Sequence, residues 1–440
     1  MVADFIGIDF GTSNCAVAAL INEQPHLIVV DENSETPYKI RSAIYLTQDD
    51  SGQDSLDAKT NEQTLNDMLA AGDILFGEQG FNAFLLTPDE GRYVNSPKNF
   101  LGAKIPKRLL DNFETLVVRF LSYLKQCAEK QCEQIINKTV IARPVNYHST
   151  MGELGNQQAE ALMLRAAHKA GFTDVDFIHE PLAAAYHFEQ HIIDSTDAMI
   201  VDLGGGTSDV TFCSLSKEKA NQVMRDDDIY ATEGIRQGGI VCDKSLASGL
   251  VSPLLGRGGR TESGKAIPNM LFSGVYDIDN IPLMSDFYSP ARSKSIQEYI
   301  LQSENPLPLM RLKRIQAQRL THELMHAIEF SKIKLSEQTE TELTLPFIER
   351  SLSINLQREQ VTETMQKWLD SMFVMIDETI AQADRQPDII YLTGGMGLSP
   401  LVQEAIAQRY PSISLNVADA FSSVVFGALL KAKRLYSKVS

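Results

Sequence analysis

The chain has 440 residues, of which 43% are hydrophobic and 22% charged, a mixture typical of globular proteins and of about three domain-sized units. This composition excludes collagen-like, disordered and disulfide-scaffold proteins. The 40 basic and 57 acidic residues leave a formal charge of −17, which disfavours a general affinity for nucleic acids or anionic membranes.

Strand and helix patterns alternate along most of the chain, which indicates an α/β fold. Short apolar runs bounded by turn residues predict strands, and longer runs with helical spacing predict helices. The predicted strands are 5–8, 15–20, 27–30, 43–46, 139–142, 175–178, 198–203, 210–215 and 389–393. The predicted helices are 109–135, 151–169, one that begins near 180, 312–336 and 418–435.

Two regions interrupt the alternation. Residues 47–67 are polar and acidic, which predicts a surface insertion. Residues 255–310 are rich in Gly, Pro and Ser and have few periodic apolar positions, which predicts a long irregular insertion.

The cellular location follows from the termini and the cysteines. Asp4 and Asp9 interrupt the first apolar stretch and no basic segment precedes it, so it does not resemble a secretion signal. No run approaches the ~18 apolar residues of a membrane-spanning helix. Five cysteines, an odd number without a Cys-x-x-Cys pair, indicate reduced thiols. We expect a cytoplasmic protein.

A short motif occurs twice. Residues 9–13 read DFGTS, and residues 202–209 read DLGGGTSD; each copy follows one apolar strand and precedes another. Glycines allow backbone N–H groups to approach a phosphate, and the hydroxyls add donors. The leading aspartate needs a cation such as Mg²⁺ between itself and a phosphate. The repeat therefore predicts a duplicated α/β domain with a cleft that binds a polyphosphate and its metal, the alternative being two ordinary glycine hairpins.

A second glycine-rich segment is a poor nucleotide site. Residues 259–265 match the first seven positions of a P-loop, but Ala266 replaces the metal-binding hydroxyl residue. No apolar strand precedes the segment and Pro268 follows it, so we interpret it as a mobile basic loop.

Four segments together carry a family resemblance: 8–14 (IDFGTSN), 179–186 (HEPLAAAY), 201–210 (VDLGGGTSDV) and 392–400 (LTGGMGLSP). In this order they resemble the heat-shock chaperones of the 70 kDa class, within the actin and sugar-kinase superfamily. The resemblance implies a two-lobed actin-like ATPase fold of duplicated ribonuclease-H-like domains around a central nucleotide cleft. It places the lobes at 1–195 and 196–440, without a peptide-binding domain.

The resemblance also implies site residues for ATP and Mg²⁺. The phosphate-binding positions are Asp9, Gly11, Thr12, Ser13, Gly204, Gly205, Gly206 and Thr207. The catalytic positions are Lys98, Glu180 and Asp202, with Asp9 and Asp202 near the metal, largely through water. The positions near the adenosine are Gly394, Gly395, Glu329, Lys332 and Ser336.

Two positions depart from the family. Ile333 and Leu398 stand where two arginines usually enclose the adenine, so the site offers aliphatic faces instead of guanidinium groups. Simpler explanations also stay open: Lys98 as a solvated lysine, Glu180 as a helix-start carboxylate, and Glu329 with Lys332 as a surface ion pair.

The function expected from these residues is slow, Mg²⁺-dependent transfer of a phosphoryl group from ATP to water, driving a two-lobe switch that acts on an unidentified protein partner or client. The alternatives are a small-molecule kinase of the same superfamily and an actin-like filament or scaffold protein. We expect neither nucleic acid nor membrane as a partner.

Overall fold

The structure, a computed structural model, describes residues 4–47, 73–87, 90–147, 151–220, 222, 225–417 and 422–437. Contacts divide the chain into two compact units. Unit 1 comprises residues 1–239, 371–398 and 402–440, and unit 2 comprises residues 240–370 and 399–401. Most of the predicted acidic insertion, residues 48–67, lies outside the described residues, and the predicted lobe boundary at 195 stays a prediction.

The strands of the described residues are numbered in chain order. They are β1 (Phe5–Phe10), β2 (Asn14–Ile21), β3 (Gln24–Leu27), β4 (Ile40–Arg41), β5 (Ala43–Thr47), β6 (Ile74–Phe76), β7 (Gly91–Asn95), β8 (Lys138–Arg143), β9 (Asp174–His179), β10 (Thr196–Leu203), β11 (Ser208–Leu215), β12 (Ile229–Ile235), β13 (Glu340–Thr344), β14 (Ser353–Gln357), β15 (Ile389–Thr393) and β16 (Ser414–Val417).

The α-helices of the same residues are numbered likewise. They are α1 (Gly77–Leu86), α2 (Lys107–Cys132), α3 (Gly152–Lys169), α4 (Glu180–Glu189), α5 (Gly239–Leu246), α6 (Ile281–Phe287), α7 (Pro290–Gln302), α8 (Leu307–Ala317), α9 (Thr321–Glu337), α10 (Arg358–Ala383), α11 (Pro400–Arg409) and α12 (Ser423–Tyr436).

Unit 1 contains two sheets with the same topology. The first has the order β3-β2-β1-β8-β9, and β4 also pairs with β2. The second has the order β12-β11-β10-β15-β16. In each sheet an antiparallel hairpin is followed by two parallel strands, and the repeated motif lies at the tip of that hairpin. The structure thus confirms the duplicated α/β domain that the repeat predicted.

Helix α12 packs against two elements of the first repeat at backbone distance. A Cβ atom on Gly7 of β1 would lie 2.4 Å from the backbone nitrogen of Leu429 in α12. A Cβ atom on Gly427 of α12 would lie 1.7 Å from the carbonyl oxygen of Ala183 in α4. Only glycine fits at these two positions, since real Cβ atoms do not approach other heavy atoms so closely.

Residues 255–310, predicted to be irregular, are largely helical in the second half, so that prediction is wrong for 281–310. Helices α6, α7 and α8 occupy most of it. The Ser and Pro residues that suggested a loop are helix-start residues: Ser289 caps α7 by accepting from the Arg292 N–H, and Pro290 is its first residue. Residues 256–268 form turns closed by the bridge between Arg260 and Ala266, and include the P-loop-like segment.

Two further sequence predictions need correction. The helix predicted over 312–336 is two helices, because Arg319 adopts a left-handed conformation (φ 53°) between α8 and α9. The strand predicted at 27–30 ends at Leu27, because the backbone of Val29 exchanges hydrogen bonds with the side chain of Gln131 on α2, at 2.9 and 2.8 Å. Most other predicted elements match the structure within a few residues.

Candidate active site

The first motif forms the tight turn between β1 and β2, and two buried serines donate hydrogen bonds to its backbone carbonyls. The Ser42 hydroxyl donates to the Gly11 carbonyl at 2.7 Å, and the Ser42 N–H donates to the Ser13 carbonyl at 2.9 Å. The Ser96 hydroxyl donates to the Thr12 carbonyl. Both serines are 1% exposed. With these carbonyls occupied behind the turn, its backbone conformation is fixed.

The second motif forms the equivalent turn between β10 and β11. The Gly204 N–H donates to the Thr207 carbonyl at 3.0 Å and closes the turn. The Gly204 carbonyl in turn accepts from the Gly239 N–H at 3.0 Å. The Ser208 hydroxyl donates to the Gln237 carbonyl at 2.6 Å, which ties the start of β11 to the chain before α5.

The two turns touch each other, and the contact requires glycine. A Cβ atom on Gly205 would lie 1.8 Å from the Ser13 hydroxyl oxygen. A Cβ atom on Gly206 would lie 2.5 Å from the Thr12 methyl carbon. Each turn therefore completes the surface of the other, and the binding of a phosphate by these turns, rather than two ordinary glycine hairpins, stays a prediction.

A third turn follows β15. Gly394 has φ 78°, a conformation that side chains other than glycine rarely adopt, and a Cβ atom there would lie 2.4 Å from the Leu203 carbonyl. The strand register places Thr393 beside Asp202, so this turn adjoins the second motif.

The three turns line one pocket of unit 1. Its lining residues are Asp9, Gly11, Thr12, Ser13, Asn14, Cys15, Ala16, Lys39, Glu180, Asp202, Gly204, Gly205, Gly206, Thr207, Gly394, Gly395 and Val424. The structure thus brings together the phosphate-turn residues, two of the three expected catalytic residues and the glycine pair expected near the adenosine. Lys39, Asn14, Cys15, Ala16 and Val424 were not expected.

Lys98, the third expected catalytic residue, forms a buried ion pair with Glu180. Its Nζ lies 2.6 Å from Glu180 Oε1, and the two residues are 5% and 8% exposed. Burial alone lowers the pKa of Lys98, but the carboxylate of Glu180 raises it overall above its ordinary value. Lys98 is therefore charged, and its interpretation as a solvated lysine is wrong.

Three buried aspartates surround this pair. Burial and the negative charge of Glu180 raise the pKa of Asp9 from 3.8 to about 7, against the opposing effect of Lys98. Burial and neighbouring carboxylates, Glu180 foremost, hold the pKa of Asp202 well above 3.8. The same two causes raise the pKa of Asp209 to about 7. The four acidic side chains of the site, Asp9, Glu180, Asp202 and Asp209, outnumber its two lysines, Lys39 and Lys98.

These residues fit a metal ion that is held largely through water and phosphate oxygens. Within the described ranges, no three His, Cys, Asp or Glu side chains lie close enough to hold a metal among themselves. Yet, within the described part of the chain, Asp209 Oδ2 is buried without a hydrogen-bond partner, and burial raises the pKa values of Asp9, Asp202 and Asp209, so a bound cation would stabilise their charged forms. Mg²⁺ suits this donor set, since it keeps several waters and binds proteins through one or two carboxylates.

Sequence reasoning missed three residues that shape the site. Asp209 is 1% exposed and accepts from the Val145 N–H at 2.9 Å. Asp209 is the last residue of the second motif, so the motif itself indicated that this residue belongs to the site. Ser42 and Ser96 gave no signal, since their partners are 31 and 84 positions away in the chain.

Of the remaining expected residues, four belong to unit 2 and one, Leu398, belongs to unit 1. Glu329, Lys332, Ile333 and Ser336 are on α9 of unit 2. Lys332 pairs with the buried Asp243 at 2.7 Å. Burial raises the pKa of Asp243 to about 6, although Lys332 opposes it. Ile333 is 54% exposed, and Leu398 of unit 1 is 42% exposed.

Parts of the chain match the models of two protein families. The model of the MreB/Mbl protein family matches residues 110–225, and the model of the Hsp70 protein family matches residues 296–439. The chain is similar to chaperones of the Hsp70 class. It is 24% identical to the chaperone protein DnaK of Ureaplasma urealyticum, over 97% of this chain and 58% of that protein. It is 23% identical to the chaperone protein HscA homolog of Rickettsia bellii, over 98% of this chain and 56% of that protein.

The Hsp70 relationship confirms the expected actin-like α/β fold, whose duplicated sheets unit 1 contains. The chain spans somewhat more than half the length of these relatives. No helix of the described residues is long and apolar enough to cross a membrane.

Proposed function

We propose that this Hsp70-like chain binds ATP with Mg²⁺ and hydrolyses it slowly, as a chaperone-like ATPase. The observation that carries the proposal is the pocket in which two glycine turns meet beside a buried Lys98–Glu180 pair and three aspartates. This combination offers backbone donors for phosphate oxygens together with charges suited to a metal and a reacting γ-phosphoryl group.

The phosphate groups of ATP would bind the two turns. Gly11, Thr12 and Ser13 offer donors on one side, and residues 204–207 offer donors on the other. Asp9 and Asp202 would hold Mg²⁺, largely through water. When bound, Mg²⁺ supplies the positive charge that the surplus of carboxylates requires. Lys98 would add a second positive charge beside the γ-phosphoryl group.

The attacking water would be oriented by the carboxylates. Glu180 is fixed by its ion pair with Lys98 and lines the pocket. Asp209 is buried near Glu180, and burial together with that negative charge raises the pKa of Asp209 to about 7.

The adenosine would lie near the third turn. Gly394 and Gly395 line the pocket, and their missing side chains leave room for the nucleoside. We keep Glu329, Lys332 and Ser336 as proposed ribose and adenine contacts. Ile333 and Leu398, which are partly exposed, would cover the base by apolar contact instead of stacking.

The nucleotide cycle would act on a protein partner or client, as the names of the relatives suggest for those proteins. The chemical identity of that partner is left to experiment. We keep the cytoplasm as the proposed location, on the sequence argument from reduced thiols.

Calorimetric titration of Mg²⁺–ATP, with GTP as the competing base, tests the proposal first. We expect selective binding of ATP, followed by slow phosphate release in a single-turnover assay. Asp202→Asn should retain the fold and reduce phosphate release by about 100-fold, since it removes a charge beside the developing transition state. Unchanged release in this variant, or no ATP binding by the wild-type chain, contradicts the proposal.

The alternatives need their own measurements. ATP consumption stimulated by sugars or small acids would favour a small-molecule kinase. Light scattering that increases with nucleotide would favour a filament protein. Hydrolysis that needs no acceptor and leaves scattering unchanged would favour the chaperone-like ATPase.

A further inference from the structure

Lys39 enters the pocket from a segment that the nucleotide-binding motifs do not include. It lies just before β4, which pairs with β2 at Asn14 and Cys15, the residues that directly follow the first phosphate turn. This register places Lys39 next to the strand that leaves the turn. Its side chain is half-buried and lines the pocket together with Asp9, Glu180 and Asp202.

The backbone on both sides of Lys39 is fixed. The Lys39 N–H donates to the Thr36 carbonyl at 3.2 Å, closing a turn. The Pro37 carbonyl accepts from the Val30 and Asp31 N–H groups, at 2.8 and 3.1 Å. Beyond β4, Ser42 bonds the first phosphate turn itself. The segment is therefore preorganised, which lowers the entropy that a bound group must overcome.

The negative charge of the pocket indicates a role for Lys39 in binding an anionic ligand. Asp9, Glu180 and Asp202 are acidic lining residues, and Lys39 is the basic residue among the described lining residues. The other cation nearby, Lys98, is already 2.6 Å from Glu180. A polyphosphate brings several further negative charges into this pocket. An ammonium group next to the first turn offsets part of that repulsion and donates hydrogen bonds to phosphate oxygens.

We propose that Lys39 is a phosphate-binding residue of this pocket, which contacts the polyphosphate of the bound nucleotide. The inference rests on the proposed function, because it assigns one more contact to the same ligand. It predicts that affinity for ATP and ADP depends on the positive charge at position 39, whereas affinity for adenosine does not.

Calorimetry on the full chain with Mg²⁺–ATP, Mg²⁺–ADP and adenosine tests this inference. Lys39→Met keeps the aliphatic chain and removes the charge, and Lys39→Arg keeps the charge. Lys130→Met is the matched control, since the Lys130 side chain is 77% exposed and pairs loosely with Glu32 at 3.4 Å. Thermal unfolding of each variant monitors the fold.

We expect Lys39→Met to weaken ATP and ADP binding by about tenfold or more, the usual range for a lost charged hydrogen bond. Lys39→Arg should recover most of that affinity, and adenosine binding and melting temperature should not change. Wild-type affinity for ATP in Lys39→Met overturns the inference but not the proposed function. Equal losses for ATP and adenosine also overturn it, since they indicate local damage. Absence of ATP binding in the wild-type chain overturns both.

Discussion

The two ends of helix α4 each carry a buried glutamate, and the two carboxylates differ in the charged groups that surround them. Glu189, the last residue, is fully buried and accepts two hydrogen bonds from the Arg225 guanidinium, at 2.7 and 2.9 Å. It accepts a third from the Ser216 N–H at 3.0 Å. Arg434 adds positive charge 3.8 Å away. At this end the negative charge is neutralised by the protein itself.

Glu180, the first residue, has Lys98 as its partner but three aspartates as neighbours. Burial raises the pKa values of those aspartates, and the negative charge of Glu180 raises them further. The difference teaches how structural and functional charges can be distinguished. A buried charge that the protein satisfies holds the fold together, and a buried charge that it leaves unbalanced is available to a ligand.

The largest expected effect is on the free energy of unfolding and concerns Glu189, whose charge the protein itself neutralises. Glu189→Ala removes the carboxylate that accepts two hydrogen bonds from the Arg225 guanidinium, whose side chain is 2% exposed, and leaves Asp228 as the other carboxylate partner. Breaking a buried ion pair from one side costs about 3–5 kcal/mol of unfolding free energy. Urea denaturation measures it, with Glu153→Ala on the exposed side of α3 as a control that should change little. A loss below about 1 kcal/mol would mean that the pair is no more than a surface-like contact.

Lys98→Met tests whether the charges at the Glu180 end of α4 serve catalysis while those at the Glu189 end do not. At the site end the variant loses a positive charge near the reacting phosphoryl group, and we expect single-turnover phosphate release to fall by about 100-fold. Glu189→Ala, in protein that is still folded, should reduce release far less. If Lys98→Met hydrolyses ATP at the wild-type rate, the charge of Lys98 has no role in catalysis, and the proposed functional difference between the Glu180 and Glu189 ends of α4 is wrong.

The dependence of stability on pH should have opposite sign at the two ends. The folded-state pKa of Asp9 is raised to about 7, so its contribution to stability is lost as the pH rises from about 4 through 7. Asp228 pairs with Arg225 and Lys219, which lower its pKa although burial opposes them, so its contribution is lost as the pH falls through 4.

Two asparagine variants measure this opposition in the nucleotide-free protein. Asp9→Asn should be more stable than wild type at pH 8, by about 1–4 kcal/mol from a shift of roughly three pKa units. Asp228→Asn should be less stable than wild type at pH 7, and the gap should close in acid. Urea denaturation across this pH range checks both signs, and two variants that shift in the same direction would contradict the distinction.

The smallest expected effect concerns the support behind the first turn. Ser42→Ala removes the donor to the Gly11 carbonyl, and we expect a loss of about 1 kcal/mol of unfolding free energy. ATP affinity should fall a few-fold, because the turn is then held less firmly. Ser34→Ala, in an exposed part of the same segment, is the control. Equal effects of the two serines would mean that position 42 does not support the turn.

Much of the site could be read from the sequence because its motifs are local. The two turns need glycine and hydroxyl residues within a few positions, and such patterns are visible in a linear chain. The fold followed from alternating strands and helices and from the repeat of the turn. Lys98 and Glu180, 82 positions apart, were found by resemblance to a family, not by spacing.

The features that the sequence did not predict depend on contacts between residues that are far apart in the chain. Ser96 supports Thr12, and Asp243 pairs with Lys332, but neither partnership leaves a local pattern. Burial determines the role of Asp209, and burial is a property of the folded chain. The helices between 281 and 317 escaped for another reason, since Pro and Ser are typical of loops and of helix starts alike.

The close packing of α12 has a mechanical consequence. Gly7 lies two positions before Asp9 on β1, and Ala183 lies one helical turn after Glu180 on α4. At both places the backbone of α12 touches the neighbouring element with no layer of side chains between them. Flexible side chains would absorb a displacement, but stiff backbones transmit it. The positions of Asp9 and Glu180 are therefore coupled to the position of α12 through direct backbone contacts.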